Sequence, residues 1–237
     1  MDDLRANLRT LRDRIASVLA QAGRPPESVR LVAVTKTHPP AVVEAAVAAG
    51  LRDLGENYVE EALAKMAVVA PQAGVRWHMI GHLQSRKAKS AAAAGFDLIH
   101  SVDSIRLGEK LSAAAQVLGR RQAVLLECNV SGEASKAGFA ASSPALVDEL
   151  LPELERLVAM PGLTVRGLMT MAPIVSRAEE ARPYFARLRA LREVLAARVP
   201  GAEWVELSMG MTDDFEAAIL EGATLIRIGR AIFGARA

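Results

Sequence analysis

Leu31-Val32-Ala33-Val34-Thr35 is a run of apolar and β-branched residues that stops on Lys36, the make-up of a short strand buried on both faces. Such strands belong to parallel sheets covered by helices. Seven further segments of this kind follow at 51–55, 75–80, 97–102, 123–130, 165–171, 204–207 and 224–228. Alanine- and leucine-rich stretches separate them, with helical spacing such as Leu107, Leu111, Ala114 and Leu118. Eight strand–helix pairs predict an α/β fold, a closed (β/α)8 TIM-type barrel in preference to an open doubly wound sheet.

Ahead of the first strand, Leu4, Leu8, Leu11, Ile15 and Val18 share one face of an extra N-terminal helix, which Gly23 and Pro25-Pro26 end. Ser143 before Pro144 reads as a helix cap, and Ser176 with Glu179 and Asp213 with Glu216 match the capping box. Pro152 and Pro183 fall in helical windows and predict a kink or a split helix. No linker or low-complexity stretch divides the chain. With 237 residues, against about 250 for a typical barrel of this class, residues 1–237 are expected to form a single domain.

Hydrophobic residues make up 51% of the chain and charged residues 24%, enough for a core and a polar exterior. The net charge of +2, with arginines spread along helical stretches, does not indicate a nucleic-acid partner. Cys128 is the only cysteine, which rules out a disulfide framework or a cysteine metal cluster within one chain. No apolar span is long enough for a bilayer and the charged start does not read as a secretory signal, so a cytoplasmic location is expected.

In parallel barrels the reactive groups gather where strands end. The first exit carries Lys36, the second Asn57 and Tyr58, the third Gly81-His82, the fifth Asn129, the seventh Ser208, and the eighth Arg227 and Gly229. Lys36 leaves a buried strand with its amine directed at the barrel mouth, where a partly desolvated lysine attacks carbonyls. Ser208-Met209-Gly210-Met211 followed by Thr212-Asp213-Asp214 reads as strand, tight turn and helix start, and Gly229 repeats the device. Phosphate sites of such barrels are often built in these two loops. An amine for a carbonyl and two turns for an anion are what holding pyridoxal phosphate requires.

Arg227 stands in an otherwise apolar strand and needs a partner. That partner is either a carboxylate or the pyridine nitrogen of a cofactor. An always-charged arginine leaves that nitrogen unprotonated and weakens the ring as an electron sink, which favours modest chemistry or simple retention. His78 and His82 do not share a helical face, so both are expected in the core or rim and no metal site is expected. Met169 and Met171 read as pocket lining, and Lys136, in a small-residue loop, as a solvated surface lysine.

Val34-Thr35-Lys36, Gly55-Glu56-Asn57-Tyr58, Trp77-His78-Met79-Ile80-Gly81-His82-Leu83-Gln84, His100-Ser101-Val102-Asp103, Gly167-Leu168-Met169, Ser208-Met209-Gly210-Met211 and Arg227-Ile228-Gly229-Arg230-Ala231-Ile232-Phe233-Gly234 closely resemble the pyridoxal phosphate homeostasis proteins. The resemblance runs from the opening helix to the C-terminus. It implies a barrel like the N-terminal domain of alanine racemase, with pyridoxal 5'-phosphate joined to Lys36 as a Schiff base. It further implies phosphate contacts from Ser208, the backbone of Met209, Gly229 and Arg230, with Arg227 beside the pyridine nitrogen and Asn57 near the ring. Arg230 stands where such proteins often carry threonine, so only its backbone N–H is carried over. Arg86 occupies a position where asparagine is common.

The function implied is intracellular pyridoxal phosphate homeostasis: binding, buffering or delivering the cofactor without robust amino-acid turnover. Free amino acids and apo-enzymes that require the cofactor are the expected partners, and a monomer or weak dimer the expected state. The alternative is a racemase-like enzyme. Racemases of this fold use a second, β-rich domain for an opposing tyrosine, and the chain ends soon after Phe233-Gly234, so two-base racemisation is not expected. A cofactor-free aldolase acting on a phosphorylated sugar is a third reading, and it would be colourless.

Overall fold

The computed structural model describes residues 2–69 and 74–234. The chain opens with α1 (Asp2–Gln21) and enters strand β1 (Arg30–Val34). Then follow α2 (Pro40–Ala48), β2 (Asp53–Glu56), α3 (Val59–Val69), β3 (Arg76–Met79), α4 (Ala88–Ala94), β4 (Leu98–Val102) and α5 (Ile105–Val117). The second half comprises β5 (Gln122–Asn129), a two-residue β6 (Phe139–Ala140), α6 (Pro144–Val158), β7 (Leu163–Met169), α7 (Arg182–Arg198), β8 (Glu206–Ser208), α8 (Phe215–Leu220), β9 (Leu225–Ile228) and α9 (Arg230–Phe233). All eight expected strands form. β6 is an addition that pairs with the end of β5.

The strands run parallel in the order β4-β3-β2-β1-β9-β8-β7-β5, and β4 pairs with β5 to close the ring. Closure rests on the first and last strands, where Ala33 lies against Ile228. Neighbouring residues on a strand face opposite ways. Val32, Leu98, Leu125, Met169 and Leu225 pack together inside the barrel, whereas Ala33, Leu126, Leu168 and Ile226 pack against the helices. That alternation decides which residues reach the lumen. Gly55 belongs to the inner set, and a Cβ there would stand 2.9 Å from Val32 and 3.0 Å from Ile80, so this layer has no room for a second-strand side chain.

The N-terminal helix packs on the end of the barrel's circuit. Leu8, Leu11 and Val18 are buried with Leu4 and Ile15 beside them, and Asn7 and Arg14 bond Ile232 and Glu216 of α9 and α8. Ser143 caps α6 by accepting from Leu146 N, with Pro144 in the first turn. Pro152 is carried inside an unbroken α6, while Pro183 begins α7 after a separate 3-10 turn at Ala178–Ala181, a split helix.

Neither expected capping box forms. Glu180, not Glu179, accepts from Ser176 N, and α8 starts at Phe215 with Asp214 accepting from Met211 N at 2.6 Å. Asp213 and Glu216 are drawn instead to Arg230 and Arg14, since a guanidinium offers a charged donor where a cap offers a neutral N–H. Leu118, the last residue of the expected helical spacing, follows the final turn of α5 and is exposed.

Candidate functional site

A cavity of about 300 Å³ opens at the C-terminal ends of the strands. Lys36, Asn57, Arg227, Gly229 and Arg230 line it together with Glu127 and Met171. The parallel register of β1 and β9 sets Lys36 and Gly229 at adjacent exits. Asn57 can sit there because Gly81 lies against it: a Cβ at Gly81 would stand 2.6 Å from the Asn57 carbonyl oxygen.

The backbone on both sides of Lys36 is held by a buried ion cluster. The Lys65 ammonium donates to Thr35 O at 2.6 Å, and to Glu56 Oε1 and Glu61 Oε1 at 2.7 Å each. The Thr35 hydroxyl donates to Glu56 Oε1 at 2.5 Å, and Thr37 N donates to Glu61 Oε1 at 2.5 Å. Thr37 has φ +66°, a left-handed conformation that a threonine holds only when its surroundings impose it. Burial pushes the Glu56 carboxyl above its usual range against the opposing pull of Lys65 and Thr35. Three acceptors occupy the three donors of Lys65, so this amine is fully engaged.

Arg227 is buried with its guanidinium donating to Ser208 Oγ at 2.5 Å and to Thr170 O at 3.0 Å. Burial lowers its pKa to about 10, with the Glu127 and Asp214 carboxylates opposing the shift. Of the two partners expected for it, the carboxylate is not the one found: among the described residues no carboxylate forms an ion pair with Arg227. A barrel end ringed by a hydroxyl and a carbonyl keeps the arginine charged and leaves donors for the cavity.

Below Arg227 a polar chain descends the lumen. Ser208 Oγ meets His100 Nδ1 at 2.8 Å, His100 Nε2 meets His78 Nδ1 at 2.9 Å, and His78 Nε2 meets Asp53 Oδ1 at 3.0 Å. Asp53 also takes a forked pair of bonds from Arg76 at 2.7 and 2.5 Å. Burial opposes the charge of Asp53, yet the bonds from His78 and Arg76 outweigh it and hold the carboxyl well below the usual range. Burial, reinforced by His78 and Arg227, keeps His100 neutral, its pKa well below normal. The side chains thus form one continuous polar chain from Arg227 through Ser208, His100 and His78 to Asp53.

Ser208 and Met209 therefore stand differently from the phosphate contacts expected of them. Both are fully buried and neither lines the cavity. The Ser208 hydroxyl is engaged by Arg227 and His100, and Met209 N donates to Leu225 O at 3.1 Å. Strand parity is the reason: Ser208 is an inner-layer residue one layer too deep. Met169 is likewise a lumen residue and only Met171 reaches the cavity. His78 lies in the core and His82 on the rim, where it meets Asp103 at 3.1 Å. Lys136 is tethered, donating to Met171 O at 2.7 Å and pairing with Glu133.

Three contributors were not foreseen. Lys65 and Glu61 form an i,i+4 pair, a pattern that reads as a solvated helix face. Glu127 had a signal, a charged residue in the apolar run of β5, the same sign that singled out Arg227.

Comparisons with known proteins agree with this fold. The family described as alanine racemase, N-terminal domain, matches residues 2–237. The pyridoxal phosphate homeostasis protein of Pseudomonas aeruginosa is 44% identical over 100% of this chain and 97% of its own length. That of Escherichia coli K12 is 38% identical, covering 100% and 98%. PipY of Synechococcus elongatus, solved with pyridoxal phosphate bound, superposes with a TM-score of 0.80 at 40% identity over 94% of this chain and 99% of that one. An alanine racemase from Clostridium difficile shares the fold alone, with a TM-score of 0.72 at 14% identity over 100% of this chain and 57% of that one. The chain belongs to the alanine racemase N-terminal domain family and, within it, to the pyridoxal phosphate homeostasis proteins.

Proposed function

We propose that this protein binds pyridoxal 5'-phosphate in the barrel mouth and serves its homeostasis, holding, buffering and releasing the coenzyme. The observation that carries the reading is the cavity itself: Lys36 from the first strand shares it with Arg227, Gly229 and Arg230 from the last. The residues fit the group. An amine faces a space that also holds two guanidinia, and the first turn of α9 leaves N–H groups without helical acceptors. The coenzyme supplies an aldehyde that a lysine amine captures as a Schiff base.

In this reading Lys36 forms the covalent link, with its backbone held rigid by the Lys65 cluster. Asn57 borders the ring, Arg227 faces the pyridine nitrogen, and Gly229 with the Arg230 N–H meets the phosphate. Ser208 and Met209 act from beneath by fixing Arg227 and the strand end. A cytoplasmic location, exchange with free amino acids and delivery to apo-enzymes complete the proposal. No helix among the described residues is long and apolar enough to cross a membrane.

Borohydride reduction of the protein loaded with pyridoxal phosphate, followed by peptide mapping, tests the reading. The adduct is expected on Lys36, and Lys36→Ala is expected to lose it from that peptide. A protein that stays colourless on incubation with the coenzyme, or an adduct confined to Lys136, would overturn it.

A further inference from the structure

Glu127 is the one cavity-lining carboxyl carried by a barrel strand. It lies on β5 with the inward parity of Leu125, is 3% exposed, and lines the same cavity as Lys36, Asn57 and Arg227. Among the described residues it makes no hydrogen bond and no ion pair, although every other polar side chain in the lumen beneath it is engaged. Its carboxyl faces the cavity and no donor of the protein, so its hydrogen-bond complement is to be sought in the ligand.

The ligand's chemistry decides the form of that complement. Pyridoxal phosphate presents acceptors: phosphate oxygens, a phenolic oxygen, and a pyridine nitrogen already faced by Arg227. A carboxylate turned toward them would be repelled, whereas a carboxylic acid would donate. We propose that Glu127 is a ligand-facing hydrogen-bond donor of the cavity, a carboxylic acid whose proton must be present for the coenzyme to seat fully. The proposal rests on the coenzyme reading of the site.

The surroundings favour the acid. Burial raises the Glu127 pKa above the ordinary carboxylate range, and the Asp103 carboxylate at the exit of β4 raises it further. Arg227 on β9 and His82 at the exit of β3 act the other way. Lys36, Asp213 and Arg230 are the other charged groups lining the cavity among the described residues. A raised pKa keeps the donor form present below it and removes that form as the pH rises through it. Affinity for the coenzyme should then weaken with rising pH, by about tenfold per pH unit while one proton is taken up on binding. Glutamate at 127 would make retention of the coenzyme sensitive to pH.

The test measures pyridoxal phosphate dissociation constants across pH for the wild type, Glu127→Gln and Glu127→Leu. Lys36 and the coenzyme's own ionisations contribute equally to all three, so only the difference between profiles reads out Glu127. The glutamine variant keeps an N–H donor and cannot ionise, and it should lack the additional alkaline loss of affinity seen in the wild type. The leucine variant, of similar size without a donor, should bind about tenfold more weakly at acidic pH. Isotope-edited infrared spectra of the coenzyme-free protein supply a second readout: a protonated carboxyl band absent from Glu127→Gln should persist above the ordinary carboxylate range. Superimposable profiles for the wild type and the glutamine variant, or leucine binding as tightly as glutamate, would overturn the proposal. If none of the three proteins takes up the coenzyme and Lys36 gains no adduct, the coenzyme reading has failed and this proposal with it, a result distinct from tight binding with matched profiles.

Discussion

The Lys65 ammonium donates to the carbonyl oxygen of Thr35, the residue immediately before Lys36, at 2.6 Å. A helix lysine thereby holds the strand end that presents the candidate nucleophile, and Glu61 extends the grip to Thr37 on the other side. Lys65→Met would leave Glu56 and Glu61 without their cation and is expected to destabilise the fold by about 3 kcal/mol. Chemical denaturation measures that loss. If the cluster also positions Lys36, the borohydride-trapped adduct should form more slowly, and adding Glu56→Gln should recover stability without restoring the rate. An unchanged adduct rate in a destabilised variant would limit Lys65 to a structural role.

Ser208→Ala is expected to lower stability by about 1 to 3 kcal/mol, because it strips a partner from both the Arg227 guanidinium and His100 Nδ1 inside the barrel. Coenzyme retention should weaken through the released Arg227. A variant with wild-type unfolding but weak retention would instead return the hydroxyl to direct phosphate contact.

Acid should act on the protein through Asp53. Its folded-state pKa is depressed, so its contribution to stability is fully present above about pH 4, the unfolded value, and is lost as the pH falls toward the folded one. Asp53→Asn should therefore be less stable than the wild type at neutral pH, by about 2 kcal/mol, and the gap should narrow on acidification. Parallel melting curves across pH for the two proteins would contradict this.

Asp213 and Arg230 are paired on the cavity wall, which offsets a positive charge where an anion is to bind. Removing the carboxylate in Asp213→Asn should tighten pyridoxal phosphate binding by about 0.5 kcal/mol, in keeping with an exposed pair. The gain should shrink at high salt. Titration calorimetry at two ionic strengths checks both expectations.

Cys128 is buried in β5, and burial, aided by Glu127, pushes its thiol far above the ordinary range. The folded protein should resist alkylation at neutral pH and react only on unfolding. Rapid labelling of the native state would show an opening of the β5 region.

The expected strands lie close to the observed ones because an inner strand of a parallel barrel must be apolar on both faces, and that leaves a continuous mark such as residues 31–35. The rule that strand exits carry chemistry placed Lys36, Asn57, Arg227 and Gly229 on one rim, and the family resemblance added Arg230. The rule set Ser208 at the rim, whereas the structure buries it one layer deeper, because an exit and a lumen layer differ by one or two residues, less than the margin of a strand boundary read from composition. Lys65 escaped notice since a helix lysine four residues from a glutamate looks the same in sequence whether it is solvated or buried.

By itself, then, the chain's pattern of apolar runs, helix signals and exit residues was sufficient for the barrel and for the amine at its mouth, since each depends on neighbours within a few positions. Tertiary structure alone decided which polar groups meet. Ser208 and His100 are 108 positions apart and touch at 2.8 Å, and Arg227 finds no carboxylate but a hydroxyl and a carbonyl. Such pairings are set by ring closure and by the inward parity of each strand, and buried polar groups then settle with whichever partner that geometry supplies.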